Sequence, residues 1–282
     1  MLWDTMMDYL KSWFSYPGLE WYLILVSIGL AIAFAVIWLL GFQPQINKKQ
    51  GLYLVAIVGA LLTVLATTFV QIPLQQYTGE AIESAWSMDT IVDWLLLAAV
   101  PSILISGLVQ EGAKMIPMVF WWQRSGRKLN PKTGLIIGAM AGAGFGVFEA
   151  IWVHNQIFMS GWTWQAINYS GIEALIPFWD RFWAVAMHIA VSAIAGYGLA
   201  KGKGWQFYLL AAVLHSLVSY FILPFRKGLL TSTQIEIIMA AAAALIMLAA
   251  LWLRWRKDKE TAAEPTEAVE PGGTDVPTGT GV

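Results

Sequence analysis

The sequence predicts an all-α, polytopic membrane helix bundle of about seven transmembrane helices. Three observations carry this. Of 282 residues, 58% are hydrophobic and 12% charged, a balance unlike that of soluble domains. Apolar stretches at 20–41, 51–74, 91–123, 134–158, 178–200, 205–223 and 234–255 each reach or approach the ~20 residues a helix needs to cross the hydrocarbon core. Basic residues alternate loop by loop. Lys48, Lys49, Arg124, Arg127, Lys128, Lys132, Lys201, Lys203, Arg254, Arg256, Lys257 and Lys259 fall on one side, and Lys11, Arg181, Arg226 and Lys227 on the other. Twelve against four is a positive-inside pattern, which sets the N-terminus outside and the C-terminus in the cytoplasm of a cell membrane, the expected one being a prokaryotic plasma membrane.

Residues 1–19 read as a separate interfacial helix. Trp3, Met6, Met7, Leu10, Trp13 and Phe14 share one face, with Asp4, Asp8 and Lys11 opposite, and Pro17-Gly18 ends the element. The first charges are acidic, unlike a signal peptide. The membrane domain spans residues 20–257, with its intramembrane ionisable residues inside a core at about 91–223. Trp21, Trp38, Trp121, Trp122, Trp152, Trp179, Trp205, Trp252 and Trp255 lie at span ends, where interfacial anchoring accounts for them. In the third span Pro117 cannot donate to the carbonyl of Ala113, which frees an acceptor and bends the helix. The fourth carries Gly138, Gly142 and Gly146 at four-residue spacing, plus Gly144, a stripe that permits close helix approach. The outer loop 159–177 reads either as a lid on the bilayer surface or as an ordinary membrane-hugging loop. Residues 258–282, rich in Pro, Gly and Thr, have too little apolar surface to order.

Composition narrows the chemistry. There is no cysteine, hence no thiol nucleophile, thiolate metal site or disulfide, and the net charge of −1 offers no footing for nucleic acid. Against this apolar background four consecutive spans each hold a titratable group: Glu111 (with Lys114), Glu149, His188 and His215. A charge at mid-membrane costs at least ~2.5 kcal/mol, so such residues face protein interior and serve a function. Each lies 12 to 17 residues from the nearest cytoplasmic basic residue (Lys203 for His215, Lys132 for Glu149), so all four share one layer ~18–25 Å from that edge. Glu111 and Lys114 share a helix face. Arg181, His188 and Ser192 share another, as do His215 and Ser219, and each serine can orient its histidine or bond backbone. His154 reads as an interfacial residue at the outer end of its span.

Two carboxylates and two imidazoles in a poorly solvated layer suit hydrolysis. A buried glutamate makes a general base for water, and a histidine can hydrogen-bond an oxyanion. The same four side chains, Glu149, His188 and His215 first among them, could instead hold a divalent metal, imidazole and carboxylate suiting zinc, but no cofactor is required and HExxH is absent. Buried Glu and His also build proton relays, so a proton-coupled transporter is an alternative, but no inverted repeat supports it.

QEGAK at 110–114, GAGFGVFEA at 142–150, RFWAVAMHIAVSAIAGYGLA at 181–200 and LHSLVSY at 214–220 resemble the four motifs of the PrsW-type intramembrane proteases and the allied YhfC family, within the superfamily of the CAAX prenyl endopeptidases. The resemblance covers about residues 100–222. It implies a glutamate-dependent endopeptidase acting on membrane-spanning or membrane-anchored proteins in regulatory proteolysis. It also implies motif roles for Glu111, Lys114, Phe145, Glu149, His188 and His215. On this reading Glu149 and Glu111 activate water, His188 and His215 stabilise the oxyanion, and Lys114 balances charge. Two positions depart from the pattern. The first Glu of the family's EExxK is Gln110, and an amide cannot take a proton from water, so a catalytically impaired pseudoprotease that binds membrane proteins is the principal alternative. Ser219 stands where Asn or Asp is usual.

Overall fold

The computed structural model describes residues 2–44 and 51–257. Lys48, Lys49, Lys259 and the tail expected to be disordered lie outside the described residues. The described chain is helical, without strands, and seven of its helical runs are long and apolar enough to cross a membrane: Trp21–Leu40, Gly51–Ala85, Leu95–Arg124, Pro131–Met159, Gln165–Ala200, Gly204–Arg226 and Ser232–Trp255. All-helical construction follows from the solvent, because backbone N–H and C=O groups in lipid must be satisfied within the chain.

A short α1 (Leu2–Ser12) precedes α2 (Trp21–Leu40). The second run is α3 (Gly51–Ala66), a π-helical turn at Thr67–Gln71, and α4 (Ile72–Ala85), so it extends past the expected end at residue 74. The short α5 (Met88–Asp93) and α6 (Leu95–Ala98) lead into α7 (Val100–Arg124), which continues through Pro117. Then come α8 (Pro131–Met159), α9 (Gln165–Ser170) with a 3-10 turn at Gly171–Leu175, and α10 (Ile176–Ala200). The chain ends in α11 (Gly204–Tyr220), α12 (Ile222–Arg226) and α13 (Ser232–Trp255). Local signals set several starts. Asn130 caps α8 through Lys132 N at 2.9 Å, with Pro131 in the first turn. Thr231 and Gln234 form a reciprocal capping box on α13.

The core is the α8–α10 pair, and the glycine stripe creates it. A Cβ at Gly138 would stand 2.1 Å from the carbonyl oxygen of Ser192, and one at Gly142 would stand 2.2 Å from that of His188. Backbone therefore meets backbone at the two residues of α10 that enter the site. Gly144 faces the other way, where a Cβ would come within 2.0 Å of the Ala56 carbonyl on α3. Replacing Gly142 by Ala has no flexible neighbour to displace. The expected outcome is a loss of about 1–3 kcal/mol, as for other overpacked cores, read as a lower thermal midpoint in detergent.

Several expectations about the periphery change. In α1 Met6 is buried and Trp3 exposed, and in the turn that follows Trp13 is buried and Phe14 exposed. Trp13 stacks on Trp152 (4.9 Å between ring centroids) and Phe148 (5.7 Å), so this helix docks on the bundle through Tyr9 and Trp13 rather than through the full predicted face. Trp152 also donates to Ser12 Oγ at 3.2 Å, and Trp38 donates to the Phe182 carbonyl at 3.0 Å. A Cβ on Gly51 would meet Trp121 at 2.7 Å. These three tryptophans are packing elements, while Trp21, Trp179, Trp205, Trp252 and Trp255 do face outward. His154 is fully buried beside Phe34 and Phe178, not interfacial. α8 continues to Met159 and is covered there by α2, with Asn155 accepting from Ser27 Oγ at 2.7 Å.

Candidate functional site

The four titratable residues from four helices meet in one connected network. Lys114, fully buried on α7, donates to Glu111 Oε1 at 2.6 Å, one turn back on the same helix. Its ammonium also lies 3.0 Å from His188 Nδ1 on α10. His215 Nδ1, from α11, is 2.7 Å from the same Glu111 oxygen. The second oxygen of Glu111 accepts from Ser192 Oγ at 3.2 Å. His188 Nε2 is 3.1 Å from Glu149 Oε2 on α8. Phe145, one turn before Glu149, sets its ring edge-on to His188 at 5.0 Å and lies 5.2 Å from the Lys114 ammonium.

These partners determine the histidine tautomers. An ammonium only donates, so His188 Nδ1 accepts, and the proton of its neutral ring sits on Nε2, donating to Glu149. A carboxylate only accepts, so His215 Nδ1 carries a proton, and in the neutral form of that ring Nε2 holds the lone pair. The two imidazoles, 5.2 Å apart between centroids, are therefore opposite in character: one offers a proton toward the cavity side, the other a lone pair.

The two glutamates are not equivalent either. The side chain of Glu111 is 1% exposed and bonded on both oxygens. The side chain of Glu149 is 22% exposed and lines a cavity of about 360 Å³ between α10, α11, α12 and α13, together with His188, His215 and Ser219. Among the described residues both side-chain bonds to Glu149 fall on Oε2, one from His188 and one from Arg181 Nη1 at 3.4 Å, and none on Oε1. No residue of the outer loop 159–177 borders this cavity. The loop instead walls an aromatic recess with Phe34 and Phe178.

The supporting residues divide. Ser192 holds Glu111 rather than its own-face His188, because that histidine's ring nitrogens are taken by Lys114 and Glu149. Ser219 stands on the cavity wall. Gln110 lies elsewhere: its amide donates to Gln71 Oε1 and to Ser106 Oγ, both at 3.2 Å. It thus joins an amide chain through Gln75 to the Ser102 carbonyl, alongside the π turn. It borders no part of the cavity. Gln110→Glu would set an acceptor-only carboxylate against Gln71 Oε1. The expected result is a loss of about 1–3 kcal/mol of stability, from a buried group left without its partner, with no gain in hydrolytic activity.

The sequence placed Arg181 on the face of His188 and Ser192 but gave no sign of its contact with Glu149, nor of the contribution of Ser216. Ser216 donates to the Ile103 carbonyl at 3.1 Å, where Gly107 lets α11 touch α7. The small residue at Gly107 opposite a serine was the available signal.

Glu111, His188 and His215 place one ligand-type atom each within 4.8 Å of one another, all three residues buried. This trio contains Glu111, whereas the expected metal set contained Glu149. Among known proteins, a family model described as PrsW family intramembrane metalloprotease matches residues 47–252. No curated protein and no solved structure matches the chain.

Proposed function

Because the chain belongs to the PrsW family of intramembrane metalloproteases, we propose that it hydrolyses a peptide bond of a membrane-spanning or membrane-anchored protein in the cavity bordered by Glu149, His188 and His215. The observation that carries this reading is the asymmetry of the two acids: Glu149 reaches the cavity with one free oxygen, while Glu111 is bonded throughout.

Water lies between Glu149 Oε1 and the Nε2 lone pair of His215. Glu149 takes its proton as the oxygen attacks the carbonyl carbon, which is general base work suited to a partly desolvated carboxylate. The oxyanion receives hydrogen bonds from His188 Nε2–H, released as Glu149 is protonated, and from the hydroxyl of Ser219. Glu149 then passes the proton to the departing amine. His215, expected from sequence as an oxyanion donor, orients water instead, since its proton is on the Glu111 side. Glu111 and Lys114 hold the two rings. The expected topology, N-terminus outside, puts the reacting layer somewhat toward the outer leaflet.

The family description raises a divalent metal, which would polarise the carbonyl and activate water. The residues as bonded do not fit one. Among Glu111, His188 and His215, the ammonium of Lys114 already holds Glu111 Oε1 and His188 Nδ1. In the set Glu149, His188 and His215, the Nε2 of His188 carries a proton rather than a lone pair. Of that set two donors remain, fewer than the three protein ligands of a catalytic zinc site.

The test is cleavage of a panel of single-span membrane proteins by the purified protein, with and without a chelator. Cleavage at equal rate under both conditions is expected. Absence of cleavage across the panel removes the protease reading, and cleavage that is lost on chelation removes the metal-free mechanism alone. Gln110 at a distance from the cavity bears against the pseudoprotease alternative.

A further inference from the structure

Among the described residues Arg181 is the one Lys or Arg on the cavity wall, and the hydrolytic scheme above leaves it without a task. It lies two turns before His188 on α10, with its side chain 17% exposed and directed inward. A lone arginine near a span end ordinarily extends toward the interface. Here the guanidinium is held from both sides. Nε and Nη2 donate to Asp180 Oδ2 at 3.1 and 2.5 Å, and Nη1 reaches Glu149 Oε2 at 3.4 Å. If charge neutralisation were its only purpose, Asp180 would suffice. Glu236 of α13 lines the same cavity with Oε2 buried and without a hydrogen-bond partner.

We propose that Arg181 is a positioning residue for Glu149: together with His188 it pins Oε2, so that Oε1 is the oxygen presented to water. Asp180 orients the guanidinium for this. The side chain of Glu149 has two-fold freedom about its last torsion, and one bond from His188 leaves that rotation open. A second donor on the same oxygen closes it. The planar fork of arginine is what allows Asp180 and Glu149 to be served together, a geometry a lysine ammonium does not reproduce. The inference rests on the protease reading for its consequence in rate, and on the ion pair alone for its consequence at Glu149.

Two readouts separate these. The first is kinetic. Arg181→Met should lower kcat by about 10²-fold, the scale of a reacting group misplaced by an ångström, with KM for a single-span substrate little changed. Arg181→Lys should recover part of the loss, and guanidinium ion added to Arg181→Ala should recover part as well, but none in Glu149→Gln. The second readout is labelling of Glu149 by a hydrophobic carbodiimide, followed by mass spectrometry. The paired carboxylate should react slowly in wild type and several-fold faster in Arg181→Met, with Glu111 unlabelled in both. Should Arg181→Met not fold, Asp180→Asn, which loosens the guanidinium without removing it, carries the same comparisons with smaller effects. Wild-type kcat in a folded Arg181→Met, or unchanged labelling of Glu149, overturns the proposal. So does a loss restored by neither lysine nor guanidinium and accompanied by a lower thermal midpoint. A wild type that cleaves nothing, yet shows the labelling difference, overturns the protease reading and leaves the pin standing.

Discussion

Glu149→Gln is expected to leave the bundle folded and to lower peptide-bond cleavage by at least about 10²–10⁴-fold, the contribution of a positioned general base. The amide preserves shape and still bonds its neighbours through its oxygen, but it cannot take a proton from water. Its side chain is partly open to the cavity, so the change in thermal midpoint should be small. Glu111→Gln supplies the contrast. That position accepts from Lys114, His215 and Ser192, and an amide there leaves the Lys114 ammonium without its counter-charge. Both substitutions lose activity, but only Glu111→Gln loses stability as well. The check is to measure cleavage and thermal unfolding on the same preparations. Equal cleavage by Glu149→Gln and wild type would remove Glu149 from the chemistry.

Lys114→Met should be the most destabilising single change in the site. Truncating one partner of a buried ion pair leaves an uncompensated charge, at a cost of about 3–5 kcal/mol. Here both members are essentially without exposure, and His188 loses the donor to Nδ1 at the same time. The double variant Lys114→Met with Glu111→Gln should recover part of the stability, because neither charge is then left alone, while activity stays absent; a thermal double-mutant cycle measures the coupling. The same variant probes the donor set. With the ammonium gone, Glu111, His188 and His215 stand close enough together for zinc to raise the midpoint of Lys114→Met, whereas wild type should not respond. A zinc response in wild type would contradict the account of Lys114 as the cation of this site.

Much of the architecture was legible because lipid imposes simple rules. Span length, the scarcity of charge and the alternation of Lys and Arg needed no tertiary information. The four intramembrane ionisable residues stood out for the same reason, since a charge that is unremarkable in a soluble helix is costly in hydrocarbon. The glycine stripe at 138, 142 and 146 marked a close contact, although its partner was hidden. A stripe says that something approaches, and only packing shows that it is the backbone of His188 and Ser192.

Other features were unreadable because they depend on what lies across the contact. Ser192 shares a face with His188, and that spacing suggested they would pair, yet Glu111 from another helix stands nearer its hydroxyl. Gln110 occupies a motif position beside Glu111, but one residue around a helix is a turn of 100°, enough to send its amide to Gln71 instead of the cavity. Arg181 shares a face with His188 in the sequence, but its bonds to Asp180 and to Glu149 of another helix are visible only in the fold.

What the amino-acid order determined by itself is the solvent this chain lives in, the number of its crossings, and the identity of the costly polar groups it carries through them. Which of two glutamates keeps a free oxygen, which imidazole offers a lone pair, and which ammonium fills the place of a cation were decided only by the tertiary structure. The physical reason is that hydropathy and period are sums over neighbours in sequence, whereas protonation and orientation are set by single atoms about 3 Å away on another helix.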